Sequence, residues 1–415
     1  TKLLTMKAKI ISFVSLSLVA FSGCDKQEST VSRDPIVLTT EQKQVVASSN
    51  SFGLHIFKEI AENTPEGENI FISPLSISMA LSMLYNGAAG TTSDELRDGL
   101  GYVGLSDENI NKANKDLIEA LINADPKVTM EIANSIWYKN TFTVEDKFLA
   151  TNKEYLNADV RSANFDAATK DLINAWVKSK THEKITSIVE KIPQEAIMYL
   201  INAIYFKGIW QYKFDPKSNQ KLNFTLSNGN KKQTDFMVQE GSFEYMQNDL
   251  FTAVDLPYGD GRYSMMVLLP NDGKTSKDIL SVLNEQSWST WNNSLRKVDK
   301  IKIAFPKFKV SFKKELNDDL KALGMTSMFE PSANLTRINP TADIAVSQVM
   351  HKTFVEVNEE GTEAAAVTSV EVVLNSTGPH VLSFTADKPF VYFIREKDSK
   401  TILFTGIMSE PVIEN

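Results

Sequence analysis

Val355-Glu-Val-Asn-Glu-Glu-Gly-Thr-Glu-Ala-Ala-Ala366 is the stretch on which the reading of this chain turns, because it joins an alternating strand-like run to a tract of small residues. Taken as an extended strand from Thr362, one face carries Thr362, Ala364, Ala366, Thr368, Val370, Val372 and Leu374. The other carries Glu363, Ala365, Val367, Ser369, Glu371, Val373 and Asn375. Both glutamates fall on one face and the opposite face holds no charge, the pattern of a strand with one buried and one solvated side. The small residues come first, so that end can slide between existing elements with little steric cost. From composition alone, Glu359 to Val367 reads equally well as an exposed Ala-rich loop or helical turn.

Working outward, segments before this stretch are helical and those around it strand-like. Phe52, Ile56, Phe57 and Ile60 recur at three- and four-residue spacing, as do Leu75, Met79, Met83 and Leu84 after Ser73-Pro74. Tyr263 to Leu269, Ile301 to Phe305, Phe308 to Phe312, Phe354 to Val357 and Phe390 to Ile394 read as strands. Helices first and strands mostly later give an α+β class, and no repeat or long linker divides residues 45–415. The expectation is one large domain.

The remaining composition limits function. With 42% apolar and 23% charged residues the chain is that of a folded globular protein, and a net charge of −8 argues against nucleic acid as partner. Near the start, Lys7 and Lys9 precede the apolar run Ile10 to Phe21 and then Ser22-Gly23-Cys24. A run of about a dozen apolar residues is short of the roughly 20 a spanning helix needs, so residues 1–23 read as a signal peptide with Met6 as its natural start. The small residues before the single cysteine resemble a bacterial lipoprotein cleavage box, with Phe21 in place of the usual leucine. The expectation is a lipid on Cys24, a polar tether over residues 24–44, and an exported protein anchored in the cell envelope, on the outer membrane. The other reading of Cys24 is a leftover thiol in a discarded peptide. One cysteine permits no internal disulfide.

Three motifs fail on context. Gly99-Leu-Gly-Tyr-Val-Gly104 has dinucleotide-binding spacing, but Thr92 to Asp98 before it reads as a polar helix where a buried strand is required. His182-Glu183 begins like a zinc-protease helix, yet position 186 is Thr. No Gly-x-Ser-x-Gly elbow occurs, and His55, His182, His351 and His380 form no ligand cluster in sequence, so no metal and no cofactor is expected.

The string Val355 to Ala366 resembles the hinge of inhibitory serpins, and Lys388-Pro-Phe390 with Phe404-Thr-Gly-Ile-Met408 resembles their C-terminal strands. Asn69-Ile-Phe-Ile-Ser-Pro-Leu-Ser-Ile77, Ile173-Asn-Ala-Trp-Val177, Asn202-Ala-Ile-Tyr-Phe-Lys-Gly-Ile-Trp210 and Leu256-Pro-Tyr258 are similar to serpin segments in serpin order. The resemblance spans about residues 48–412 and departs at Glu183, where the family usually has glycine. It implies a serpin fold of three β-sheets and eight or nine helices, with an exposed reactive-centre loop at about residues 359–386. It also implies a monomeric suicide inhibitor of serine proteases and not an enzyme. The implied hinge is Glu359, Glu360, Gly361, Thr362, Glu363, Ala364, Ala365 and Ala366. Ser73, Ser76, Asn202 and His351 are the implied polar cluster that lets the main sheet part, and Trp210 marks where insertion begins; ordinary core packing is the alternative for all five.

About fourteen residues from Gly361, the implied cut falls between Asn375 and Ser376, or between Leu374 and Asn375. The apolar approach Val370 to Leu374 holds no Lys or Arg, which favours elastase-, chymotrypsin- or subtilisin-like targets. A serpin that has lost inhibition and serves as a carrier is the alternative. Such a protein is expected to place bulky or charged residues on the inserting face.

Overall fold

The computed structural model describes residues 35–362 and 382–412. Among them are nine α-helices: α1 (Thr40–Glu62), α2 (Pro74–Tyr85), α3 (Gly90–Gly99), α4 (Asp107–Ile122), α5 (Asp146–Leu156), α6 (Ala167–Lys180), α7 (Ser276–Ser281), α8 (Glu285–Ser294) and α9 (Asn317–Ala322). The strands of the first half are β1 (Ile70–Ile72), β2 (Val128–Lys139), β3 (Ala158–Ala163), β4 (Met198–Ile209), β5 (Gln220–Thr225), β6 (Lys231–Gln247) and β7 (Phe251–Tyr258). Those of the second are β8 (Tyr263–Pro270), β9 (Arg296–Pro306), β10 (Phe308–Glu315), β11 (Met350–Asn358), β12 (Gly361–Thr362), β13 (Leu382–Thr385), β14 (Phe390–Glu396) and β15 (Ile402–Met408).

The strands form two hydrogen-bonded networks. A six-stranded sheet runs β10-β11-β12-β4-β2-β3, and a nine-stranded one runs β1-β15-β14-β8-β7-β6-β9-β13 with β5 added on β6. The third sheet expected from the sequence is part of the second network because β6 is long enough to serve two neighbourhoods. Its N-terminal half pairs with β5 and its C-terminal end with β7, while β9 runs along it from Phe236 to Tyr245 across a register shift between Gly241 and Phe243.

Between the sheets lies α2, in contact with both β4 and β15. Leu75, Ile77, Met79, Leu81 and Met83 are buried, and so are Ser76, Ser78 and Ser82, so this helix has no solvent face. Ser73 caps it, its Oγ accepting from the Ser76 N–H at 3.2 Å, and Pro74 occupies the first turn where its missing N–H costs nothing.

The sequence carried the polar tether to about residue 44, but the folded body begins earlier. Thr39 and Gln42 form a reciprocal capping box that starts α1 at Thr40, and Leu38 is buried. Polar composition there reflects the exposed side of a helix. The Gly99–Gly104 segment is the turn between α3 and α4, with Gly101 and Gly104 at positive φ, as expected.

Inside the larger network, Asp255 on β7 is buried against Arg395 of β14 at 3.0 Å, with Lys397 at 3.3 Å. Burial pushes the Asp255 carboxyl up, but Arg395 and Lys397 outweigh it and hold the group below the usual carboxylate range. Because Lys397 is shared with Glu244, Arg395→Met should strand the carboxylate and lower unfolding stability by about 3 kcal/mol. Guanidinium denaturation of the intact chain measures this; a loss under about 1 kcal/mol would show that Lys397 alone suffices.

Candidate functional site

The site is the gap between β4 and β11, two parallel strands whose C-terminal ends lie at the same pole of the six-stranded sheet. Among the described residues only β12 joins them, Thr362 standing opposite Gly208 on one side and Val357 on the other. β11 ends at Asn358, the chain turns through Glu359 and Glu360, and it re-enters the sheet as Gly361-Thr362.

That turn is fastened by Trp210. Its backbone N–H donates to the Glu360 carbonyl at 2.8 Å, its Nε1–H donates to the Asn358 carbonyl at 2.9 Å, and the Phe214 N–H donates to the Glu359 carbonyl at 3.1 Å. The indole is buried and stacks on Tyr258, ring centroids 4.3 Å apart. Tyr258 Oη meets Thr362 Oγ1 at 2.6 Å, so the first residue of the expected uncharged face does point inward. Lys213 pairs with Glu360 at 2.5 Å and Lys307 with Glu359 at 3.0 Å, while the Asn219 amide also donates to Glu359. Burial raises the Glu359 carboxyl, yet Asn219, its own backbone and Lys307 outweigh this and hold it below the ordinary glutamate value.

Gly361 is required here for space as well as for its φ of +145°. A Cβ at this position would stand 2.1 Å from the Gly208 carbonyl oxygen and 2.7 Å from the Ile209 Cα. Gly208 is equally tight, since its own Cβ would meet the Tyr258 ring at 2.8 Å. Sequence reasoning missed Tyr258 and Gly208 as parts of the site, although a glycine inside a strand one turn from a tryptophan is a signal of close approach.

At the other end of the gap, His351 Nε2 accepts from the Ser73 backbone N–H at 3.1 Å, and Ser73 Oγ donates to the Leu403 carbonyl at 2.7 Å. α2, β11 and β15 are thereby tied through Ser73. Ser76, Asn202 and His351 line one cavity of about 510 Å³ that opens between the strands below β12. Asn202 is held differently from the other three. Its amide donates to Asn134 Oδ1 at 2.8 Å, and its own Oδ1 is buried without a donor among the described residues. Nearer β12 lies a separate small cavity of about 20 Å³, lined among others by Ile204, Phe206, Val355 and Thr362.

Glu363, Ala364, Ala365, Ala366 and the bonds proposed for cleavage at Leu374, Asn375 and Ser376 lie outside the described residues, as does Cys24. The loop expected to reach about residue 386 ends sooner, because Leu382–Thr385 is β13, paired in parallel with β9 through Leu382 and Ile301. At Glu183 the departure from glycine is adopted in full: φ is +68°, beside His182 at +47°. Two consecutive left-handed residues cost about 1–2 kcal/mol each, and the Lys184 N–H closes the turn on the Thr181 carbonyl at 2.9 Å.

With this geometry in place, comparison with known proteins is informative. The family model for Serpin (serine protease inhibitor) matches residues 47–411. Human neuroserpin is 34% identical over 364 residues, 85% of this chain and 88% of that protein. Tengpin, a thermophilic serpin solved in its native state, superposes with a TM-score of 0.81 at 31% identity, covering 90% of this chain and 95% of that one. Human thyroxine-binding globulin, solved as a thyroxine complex, gives 0.81 at 25% identity, covering 90% and 100%.

His351 provides a pH test of the tie to α2. Burial pushes its imidazole down to about 3 from 6.5, so below pH 6.5 the unfolded chain takes up a proton that the folded one refuses. Stability from this group is therefore complete above about pH 6.5 and falls by about 1.4 kcal/mol per unit as pH drops toward 3. Denaturation of the wild type and His351→Gln from pH 7.5 to pH 5 should show the wild type losing about 2 kcal/mol more. Parallel curves would exclude a buried neutral imidazole.

Proposed function

This chain belongs to the serpin family, and from that membership we propose that it is a suicide-substrate inhibitor of serine proteases. The protease's serine Oγ attacks the carbonyl carbon of Asn375, or of Leu374, and forms an ester. The peptide C–N bond breaks, and the freed nitrogen leaves with a proton on the segment that continues into β13. The upstream segment then enters the gap between β4 and β11 and carries the ester-linked protease with it before water can deacylate it.

The observation that carries this reading is the pairing of Thr362 with both Gly208 and Val357, which supplies the register for everything that follows. Continued antiparallel to both strands, Ala364 comes opposite Phe206 and Val355, and Ala366 opposite Ile204 and Thr353. Thr368 comes opposite Asn202 and His351, and Val370 opposite Leu200 and Val349. The alanines thus come to the small cavity of about 20 Å³, and the larger residues to the one of about 510 Å³. Thr368 brings a hydroxyl to the Asn202 oxygen that has no donor. A carrier that has lost inhibition has no need of this size match.

In the same reading Val370 to Leu374 selects elastase-, chymotrypsin- or subtilisin-like enzymes, since neither Lys nor Arg is present to fill an acidic pocket. The inhibitor is exported, acts as a monomer, and is held at the cell envelope by a lipid on Cys24. The apolar run before Ser22-Gly23-Cys24 and the isolation of that cysteine support the anchor.

Incubating the chain with elastase, chymotrypsin and subtilisin should give an adduct that survives boiling in detergent with at least one of them. Clean cleavage by all three without adduct would refute inhibition. Thr362→Arg would bury a guanidinium against Tyr258. It should slow insertion enough to raise the inhibitor consumed per protease trapped by roughly tenfold. An unchanged stoichiometry would remove Thr362 from the inserting face.

A further inference from the structure

The cavity between β4 and β11 has the size and lining of a small-molecule site before any strand enters it. About 510 Å³ lies within the range of ligand pockets, roughly 300–1,000 Å³. Its inner walls are apolar, built by Leu81 and Leu84 of α2 with Met198, Leu200, Ile338 and Val346. Two features are unbalanced. The deep acceptor Asn202 Oδ1 lacks a donor, and the mouth carries Lys191, Lys313 and Lys352 against Glu190 and Glu195.

Lys352 is the group with an unmet requirement. On the β10–β11 ladder it stands directly opposite Lys313, a like-charge pair that works against the sheet. Glu190 is bound to Lys313, leaving Lys352 with no ion pair among the described residues. Burial first, then Lys313, push its ammonium below the ordinary lysine value, with Glu190 opposing. An anion at this mouth would relieve both lysines. A hydroxyl at the inner end would satisfy Asn202, and a hydrocarbon between the two would match the walls.

We propose that this cavity binds a small amphipathic hydroxy-carboxylate, its carboxylate on Lys352 and Lys313, its chain along α2 and its hydroxyl on Asn202. Such a ligand occupies the space opposite Asn202, His351 and Leu200, so it competes with the inserting segment and converts the inhibitor toward a plain substrate. The competition rests on the insertion reading; the binding does not.

Titration calorimetry of the intact chain with 10-hydroxydecanoate, with no protease present, tests the site by itself. Saturable one-to-one binding is expected, weakened about tenfold in Lys352→Gln by loss of a charge-assisted hydrogen bond. Decanoate, lacking the hydroxyl, should bind severalfold more weakly. No saturable binding, or equal binding by wild type and a Lys352→Gln variant with native circular dichroism, would overturn the site. Equal binding of the two acids would overturn the role of Asn202. In a second arm, saturating 10-hydroxydecanoate should shift the products of a protease that forms adduct with the free chain toward cleaved inhibitor. Binding without that shift overturns the competition alone, whereas absence of adduct in the ligand-free chain counts against the insertion reading and leaves the site standing.

Discussion

Two residues wedged between parallel strands hold this structure in its present form. Gly361 and Thr362 are the described bridge between β4 and β11, and the bridge exists only because neither Gly361 nor Gly208 carries a side chain. With a Gly361 Cβ 2.1 Å from the Gly208 carbonyl oxygen, alanine could not sit there without forcing the strands apart. The wedge is then locked from outside: Trp210 holds the turn by two hydrogen bonds, Tyr258 holds Thr362, and Lys213 and Lys307 hold the two glutamates. None of these contacts extends the ladder further down.

Among the described residues the consequence is a sheet whose middle, below β12, is unfinished. Parted parallel strands expose backbone groups that a central strand would pair, and a ladder bond is worth about 0.5–1.5 kcal/mol net. A dozen or so further residues in the gap would gain on the order of 10 kcal/mol by that measure, before any apolar surface is counted. On the proposed reading that energy is withheld by connectivity, since the chain after Thr362 runs on to β13, the edge strand paired with β9 in the other network. On the proposed inhibitory reading, cutting the chain removes that restraint and lets a protease trigger its own capture.

Much of this was legible in the sequence, for local reasons. Of the alternation from Thr362 only Thr362 is described, and it is buried, while the three- and four-residue spacing located α1 and α2. At Gly361, named only as part of the implied hinge, the structure adds a requirement for space that no spacing rule encodes. Tyr258, Gly208, Lys213, Asn219 and Lys307 come from four separate elements or turns, and nothing in their local sequence links them to Glu359 or Thr362. The merging of two sheets through β6 was equally hidden, because a register shift at Gly241 is a property of partners on both sides of the strand. The start of α1 was misplaced for a different reason: a capped, solvent-facing first turn has the composition of a tether.

The lower gap explains why the wedge need not open the sheet unaided. Ser73 joins α2 to β11 through a single backbone donor on His351 and to β15 through its hydroxyl, so at this level the strand is held to the helix by a bond that a neutral imidazole alone can accept. Asn202 on the opposite strand takes no part in that tie and keeps an unused acceptor. On the proposed reading an entering chain first passes the small cavity lined by Ile204, Phe206 and Val355. Beyond it lies a space already wide enough for branched side chains and already short of one hydrogen-bond donor. A gap tight where the sequence offers alanine, and open where it offers threonine and valine, resists the first residues and then favours every one that follows. If the chain inserts as proposed, insertion started at Thr362 becomes easier as it proceeds.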